Sequence, residues 1–328
     1  MIENIVIFAF LIFVNFIFYK NLNKLSNMID IYDQPNKDRK IHSSQVPILG
    51  GIIFFINIFT YLIYEKFFLN NINFSFEVSN LAVVLFLTFL IGIIDDKKDL
   101  NQNLKFLFFL ILFGFFLYVE DELLIKNLRF SYDNINLQLG NYSFIFSVIC
   151  IILFVNAFNM FDGLNGQSAI YIITIFLYFL LQNEYVILSI IIIISSIFYI
   201  YNNLKNKTFL GDSGSLTISL LISILIISFY QRTDNFFCEE IFILMMIPGF
   251  DLIRLFFIRI INKKNPMKAD GNHLHHILMR KFSQKQTLFI NSLLVAIPIF
   301  LSTVYQNYIL IIFLTLLTYS ILIYKIRN

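Results

Sequence analysis

Long apolar runs recur along the whole chain, each close to the roughly 20 residues that an α-helix needs to cross about 30 Å of hydrocarbon. The first, IENIVIFAFLIFVNFIFY, occupies residues 2 to 19. A backbone surrounded by lipid must satisfy its own N–H and C=O groups, so runs of this kind fold as helices. Eleven are expected, near residues 2 to 19, 47 to 64, 78 to 94, 104 to 119, 142 to 159, 168 to 181, 185 to 201, 215 to 230, 240 to 260, 287 to 304 and 308 to 324. The breaks at 182 to 184 and 305 to 307 are short, and ten spans result if one of them is not a turn. Only 14% of the residues are charged, against about 25% in soluble domains, and no polar stretch is long enough for a soluble domain. The sequence therefore predicts one all-α, polytopic integral membrane domain over residues 1–328.

No small-residue cleavage site follows the first run, so it is expected to stay as a helix rather than be removed as a signal peptide. Cys150 lies in an apolar run and Cys238 in a short loop, which offers neither a disulfide framework nor a metal-binding spacing.

Lysine and arginine set the orientation, because they favour the cytoplasmic ends of spanning segments. With the N-terminus outside and the C-terminus in the cytoplasm, 20 of the 24 fall on inner segments, leaving Lys66, Lys126, Arg129 and Arg232 outside. All four histidines, His42, His273, His275 and His276, sort to the inside as well. Every inner acid is an aspartate, whereas the glutamates, from Glu3 to Glu240, all fall outside. Short carboxylates suit a metal or phosphate site better than a merely soluble face, which would use glutamate freely. Most glycines also sit at inner helix ends, where backbone can approach a ligand or aim a helix terminus at an anion. An active site is thus expected on the cytoplasmic face, built from loops near 20–46, 95–103, 156–168, 202–214 and 261–285.

Each inner loop offers a distinct chemistry. In YDQPNKDRKIHSSQVPILGG at 32 to 51, Arg39, Lys40 and His42 form a cationic cluster suited to lipid phosphates or a phosphorylated ligand, though a plain positive-inside loop looks the same. In DDKKD at 95 to 99, Asp95 and Asp99 share a helical face and Asp96 points about 100° away. Magnesium held by one or two carboxylates plus substrate phosphates fits that supply. In NAFNMFDGLNGQSA at 156 to 169, Asn156, Asn159 and Asp162 recur every three residues before a turn at Gly163 and Gly166; interhelix hydrogen bonding is the competing use of those amides. TFLGDSGS at 208 to 215 places Asp212 between Gly211 and Gly214 at a helix start, where Asp212 or Ser213 could equally be an N-cap. In ADGNHLHHILMRK at 269 to 281, His273 and His276 share a helical face and His275 lies off it. Without thiols, these histidines suit a diphosphate better than zinc. Asp251 and Arg254, three apart, read as a buried ion pair supporting this loop.

Taken together, DQPNKDRKIH, PILGG, DDKKD, NAFNMFDGLNG, LGDSGS and HLHH resemble, in order and spacing, the polyprenyl-phosphate N-acetylhexosamine-1-phosphate transferases of glycosyltransferase family 4. The resemblance covers about residues 30 to 280. It implies transfer of a sugar 1-phosphate from a UDP-sugar onto undecaprenyl phosphate in the bacterial cytoplasmic membrane, with release of UMP and use of Mg2+, for which Mn2+ could substitute. Carried over by position, Asp95 and Asp96 are the pair associated with catalysis and metal, and Asp212 the aspartate that holds magnesium. Asn156, Asn159, Asp162, Gly163 and Gly211 would line the nucleotide-sugar cleft, and His273, His275 and His276, with Arg39, Lys40 and His42, would contact phosphates.

The His-x-His-His form is similar to the UDP-GlcNAc branch, while another UDP-HexNAc, a deoxy-HexNAc among them, or UDP-MurNAc-pentapeptide remains an alternative donor. Gln167 departs from relatives that generally carry an apolar residue there. A homodimer is a candidate assembly, and no nucleic-acid partner is expected. A secondary transporter is the rival class, but it would bind near the bilayer midplane, often between internal repeats, and no motif here repeats across the two halves.

Overall fold

The computed structural model describes residues 2–33, 45–70, 72–264 and 271–327. All eleven expected apolar runs are helices. In chain order they are α1 (Ile2–Lys20), α3 (Gly50–Phe68), α4 (Val78–Lys98), α5 (Gln102–Val119), α6 (Ser143–Phe161), α7 (Gln167–Leu181), α8 (Val186–Asn203), α9 (Gly211–Arg232), α10 (Cys238–Ile261), α12 (Gln284–Val304) and α13 (Tyr308–Arg327). Two short helices, α2 (Leu22–Ile29) and α11 (Leu274–Met279), sit among them.

Among the described residues, nine helices are long and apolar enough to cross a membrane, and α1 with α2 forms a further candidate bent by 72°. The protein is a multi-pass membrane protein. Helix α7 has only 15 residues, about 22 Å of helix. The loop after it tucks into the protein, with Tyr185 buried and its hydroxyl on the Leu225 carbonyl (3.2 Å). Irregular backbone at membrane depth is tolerated when protein rather than lipid surrounds it.

Helix α9 is the axis of the bundle. From Ser213 to Tyr230 all of its residues are buried, packed against α3, α4 and α6. A helix apolar all round belongs in a core, and small residues let neighbours approach it. Gly92 of α4 lies directly on the Ser213 backbone, where a side chain would collide. Two serines of α9 are satisfied within the helix, as Ser219 donates to the Ser215 carbonyl and Ser223 to that of Ser219. Helix α1 is tied on by a buried amide pair, Asn15 donating to Asn57 of α3 (2.8 Å).

Strands are few. The pair β1 (Tyr32–Asp33) and β2 (Val46–Pro47) lies at one end of the bundle, and the antiparallel hairpin of β3 (Asn127–Arg129) and β4 (Asn136–Gln138) at the other. Beyond β2 the chain runs beside the start of α9, with Gly50 N–H on the Phe209 carbonyl and Gly51 N–H on that of Leu210, both 2.9 Å. That contact begins the site.

Candidate active site

Four of the five polar loops meet at one end of the bundle; Arg39, Lys40 and His42 of the first lie outside the described residues, but its flank at 46–51 reaches the same place. The last turn of α4 projects two adjacent carboxylates in different directions, as a step of about 100° per residue requires. Asp95, 7% exposed, receives the Lys105 ammonium on Oδ2 at 2.5 Å and the Leu100 N–H on Oδ1 at 2.7 Å. Asp96 points to α9, its Oδ1 accepting the Asp212 N–H (2.7 Å) and its Oδ2 the Ser213 N–H (3.1 Å).

This settles the capping question raised by the sequence. Neither Asp212 nor Ser213 caps α9 with its own side chain; a carboxylate from α4 satisfies the exposed N–H groups and complements the positive end of the helix. The Asp212 carboxylate is thereby left for other work, and it turns to Lys105 at 3.3 Å, 30% exposed. Asp95, Asp212 and Lys105 form one cluster joining α4, α5 and α9. Asp99 ends α4 in the left-handed conformation with its side chain exposed, and takes no part.

Lys105 is a member of this cluster that sequence reasoning missed, having counted it only as an inner positive charge. The signal was present: it is the one cation inside the apolar run of α5, and a buried lysine needs a partner.

The asparagines of α6 are less free than their spacing implied. Asn156 donates to the Ile152 carbonyl of its own helix, and Asn159 accepts the Ser215 hydroxyl of α9 at 3.1 Å, so the interhelix use of Asn159 is realised. Asp162 ends α6, half-buried. Burial pushes its carboxyl up to about 6, with the Ser168 hydroxyl opposing and the negative charge of Asp96 adding to the rise.

Gly163 has a specific reason to lack a side chain, because the His275 ring occupies the place of its Cβ. Gly211 has two: its φ of +74° lies in the left-handed region, and Ile48 and the Asp96 carboxylate crowd its open side. Gly166 is held by the Asn203 side chain, which accepts its N–H at 2.7 Å. The unusual Gln167 is buried and accepts an amide hydrogen bond from Asn291 of α12 (3.2 Å).

The histidines differ from their helical-wheel reading. His273 is not in the helix but precedes it as the N-cap of α11. Its ring lies parallel to that of His275, centroids 5.8 Å apart, and His275 meets His276 at 4.2 Å. His275 is 2% exposed, and its Nε2 is buried without a hydrogen-bond partner. Burial pulls its pKa down to about 3, and repulsion from His276 and His273 adds to this. His275 is therefore neutral at physiological pH and brings a polar atom, not a charge, to the site.

Magnesium is the cofactor implied by the resemblance, and the donors fit it. Asp95 and Asp212 bring hard carboxylate oxygens together, and Mg2+ is ordinarily held by one or two carboxylates plus substrate phosphates. Among the described residues no cluster of three or more His, Cys, Asp or Glu could hold a metal ion by itself.

Known proteins are similar in sequence to this chain. The glycosyl transferase family 4 sequence model matches residues 78–230, from α4 through α9. A probable undecaprenyl-phosphate N-acetylglucosaminyl 1-phosphate transferase of Bacillus subtilis (strain 168) is 29% identical over 271 residues, covering 79% of this chain and 72% of the relative. The undecaprenyl-phosphate alpha-N-acetylglucosaminyl 1-phosphate transferase of Thermotoga maritima is 28% identical over 278 residues, 84% of this chain and 82% of that protein. The Escherichia coli (strain K12) enzyme of the same name is 25% identical over 288 residues, 84% and 76% of the two chains. The matched segment brings Asp95, Asp96, Lys105, Asp162 and Asp212 to one end of the bundle, and in it the chain is similar to glycosyl transferase family 4.

Proposed function

We propose that the protein transfers N-acetylglucosamine 1-phosphate from UDP-N-acetylglucosamine to undecaprenyl phosphate, releasing UMP and forming the lipid-linked diphosphosugar that starts a cell-envelope glycan. The observation that carries this reading is the joining of Asp95, Asp212 and Lys105 at the end of the bundle where the Gly163 turn receives His275. The names of the three relatives support the donor and acceptor. We place this end at the cytoplasmic face of a bacterial inner membrane, on the strength of the lysines and arginines that favour it. A prenyl phosphate keeps its head at that surface, and a soluble UDP-sugar arrives there. A transporter would instead gather its polar residues near the midplane.

Phosphoryl transfer between two anions needs positioning and charge neutralisation more than covalent chemistry. Asp95 and Asp212 would hold Mg2+, or Mn2+ in its place, and the ion when bound supplies positive charge at the diphosphate. Lys105 adds a fixed cation between the same carboxylates. Asp96, held on α9, orients the turn that presents Asp212. Asp162 and the Gly163 turn would line the nucleotide-sugar cleft, while His273 and His276, with Arg39, Lys40 and His42, would contact phosphates. The acceptor is a phosphate monoester with a second pKa near 6, so it is mostly dianionic at pH 7 and can attack without a strong base.

The test is product analysis. Purified protein in lipid, given UDP-N-acetylglucosamine, undecaprenyl phosphate and Mg2+, should form undecaprenyl diphospho-N-acetylglucosamine by mass spectrometry, with other UDP-N-acetylhexosamines turned over more slowly. A preference for a different sugar refutes the donor assignment. A phosphorylated enzyme trapped without the lipid acceptor refutes direct attack.

A further inference from the structure

We infer that Asp251 and Tyr319 are positioning residues for His273, holding its Nδ1–H on the Asp251 carboxylate so that Nε2 is the ring nitrogen presented to the site. The inference rests on the transferase reading, and it reaches two helices, α10 and α13, that lie beyond the segment matched by the family.

The argument is one of hydrogen-bond bookkeeping around a buried carboxylate. Asp251 Oδ2 lies 2.8 Å from His273 Nδ1, and Oδ1 receives the Arg254 guanidinium at 2.7 Å and the Tyr319 hydroxyl at 2.9 Å. The Leu274 N–H reaches both oxygens, at 3.1 and 3.2 Å. A carboxylate only accepts, so the imidazole nitrogen facing it carries the proton, and Nε2 is the nitrogen left over. Tyr319 locks the arrangement twice, donating to Asp251 and accepting the Arg254 Nε–H at 3.0 Å, while Arg254 also holds the Asn272 carbonyl at 2.6 Å. His273 Nε2 has no hydrogen bond to the described residues, and the ring is pinned on its other side by parallel His275. Groups that orient a histidine from behind typically matter by about 10–100-fold. The last helix of the chain is thus part of the site rather than a membrane anchor alone.

Full-length protein labelled with 15N-histidine, in lipid bilayers, tests this together with steady-state kinetics of UMP release. Asp251→Asn should lower kcat about 10–100-fold. Tyr319→Phe, which keeps shape and loses one hydroxyl, should lower it about 5–10-fold, as loss of one hydrogen bond of 1–1.5 kcal/mol implies. KM for UDP-N-acetylglucosamine should stay within about threefold, because the loss falls on the transition state. In both variants the His273 signal should change from a single Nδ1-protonated form to a mixture. Thr315→Val, one turn earlier on α13, should leave both readouts as in the wild type. Unchanged His273 spectra, or unchanged kcat, in the Asp251 and Tyr319 variants would overturn the inference. Wild-type protein that releases no UMP refutes the transferase reading instead, and the spectra then still decide the positioning.

Discussion

The two ends of the bundle use carboxylates in opposite ways. At the end away from the site, each buried glutamate closes a loop with neutral donors. Glu65 accepts the Tyr61 hydroxyl at 2.7 Å and both the backbone and side-chain N–H groups of Asn73. Glu120 takes the Asn80 amide, Glu239 the Ser131 backbone and hydroxyl, and Glu240 the Phe237 N–H with the Tyr178 hydroxyl. At the other end Asp95, Asp96, Asp162 and Asp212 crowd one another around a single lysine and a helix terminus. Self-contained hydrogen bonding stabilises a fold, whereas like charges gathered in a cleft are stabilised fully only when a cation or ligand arrives. The glutamates are built to stay closed, and the cluster of Asp95, Asp212 and Lys105 to be completed.

The largest expected difference lies between matched substitutions at the two ends. Asp212→Asn should reduce UMP release by a hundredfold or more, on the order of removing a pre-organised electrostatic group, with thermal stability in detergent near the wild type. Glu65→Gln should do the reverse, losing about 1–3 kcal/mol of stability with little effect on turnover per folded molecule. Equal activity losses would erase the contrast between the ends.

Lys105→Met comes next. Two carboxylates lose their shared cation, so activity should fall at least about tenfold, and added Mg2+ should raise the melting temperature of the variant more than that of the wild type, by linkage. Gly163→Ala drives a methyl group into the His275 ring and should destabilise by about 1–3 kcal/mol through overpacking, with activity falling alongside.

A smaller effect concerns pH. His275 has a folded pKa of about 3, below the ordinary value near 6.5. Between those values the unfolded chain binds the extra proton, so this histidine's contribution to stability falls as pH drops through the window. Asp162 has the opposite sign: raised to about 6, it adds stability that is present at low pH and lost as pH rises from about 4 to 6. Melting curves of His275→Gln from pH 4 to 7 should gain on the wild type toward acid; parallel curves would place His275 in water. Asp99→Asn, at an exposed helix end, should change activity by less than about threefold, in keeping with the weak worth of exposed charges.

Much of this was legible before any coordinates. Eleven apolar runs gave eleven helices because lipid leaves the backbone few alternatives, and the segregation of aspartate from glutamate matched two real environments. What stayed hidden depends on contacts across distant sequence. Asp96 caps a helix more than a hundred residues away, and local capping rules see only Asp212 and Ser213. Lys105 vanished into the count of inner cations, although its isolation in α5 was a clue. Tyr319 had no signal at all, being one of 17 tyrosines and set in an apolar helix where aromatic residues are ordinary.

The most direct test is UMP release by the purified wild-type protein in lipid. The account predicts release from UDP-N-acetylglucosamine only when undecaprenyl phosphate and Mg2+ are both present. Release that persists without the lipid acceptor, or none with any UDP-N-acetylhexosamine, would contradict it.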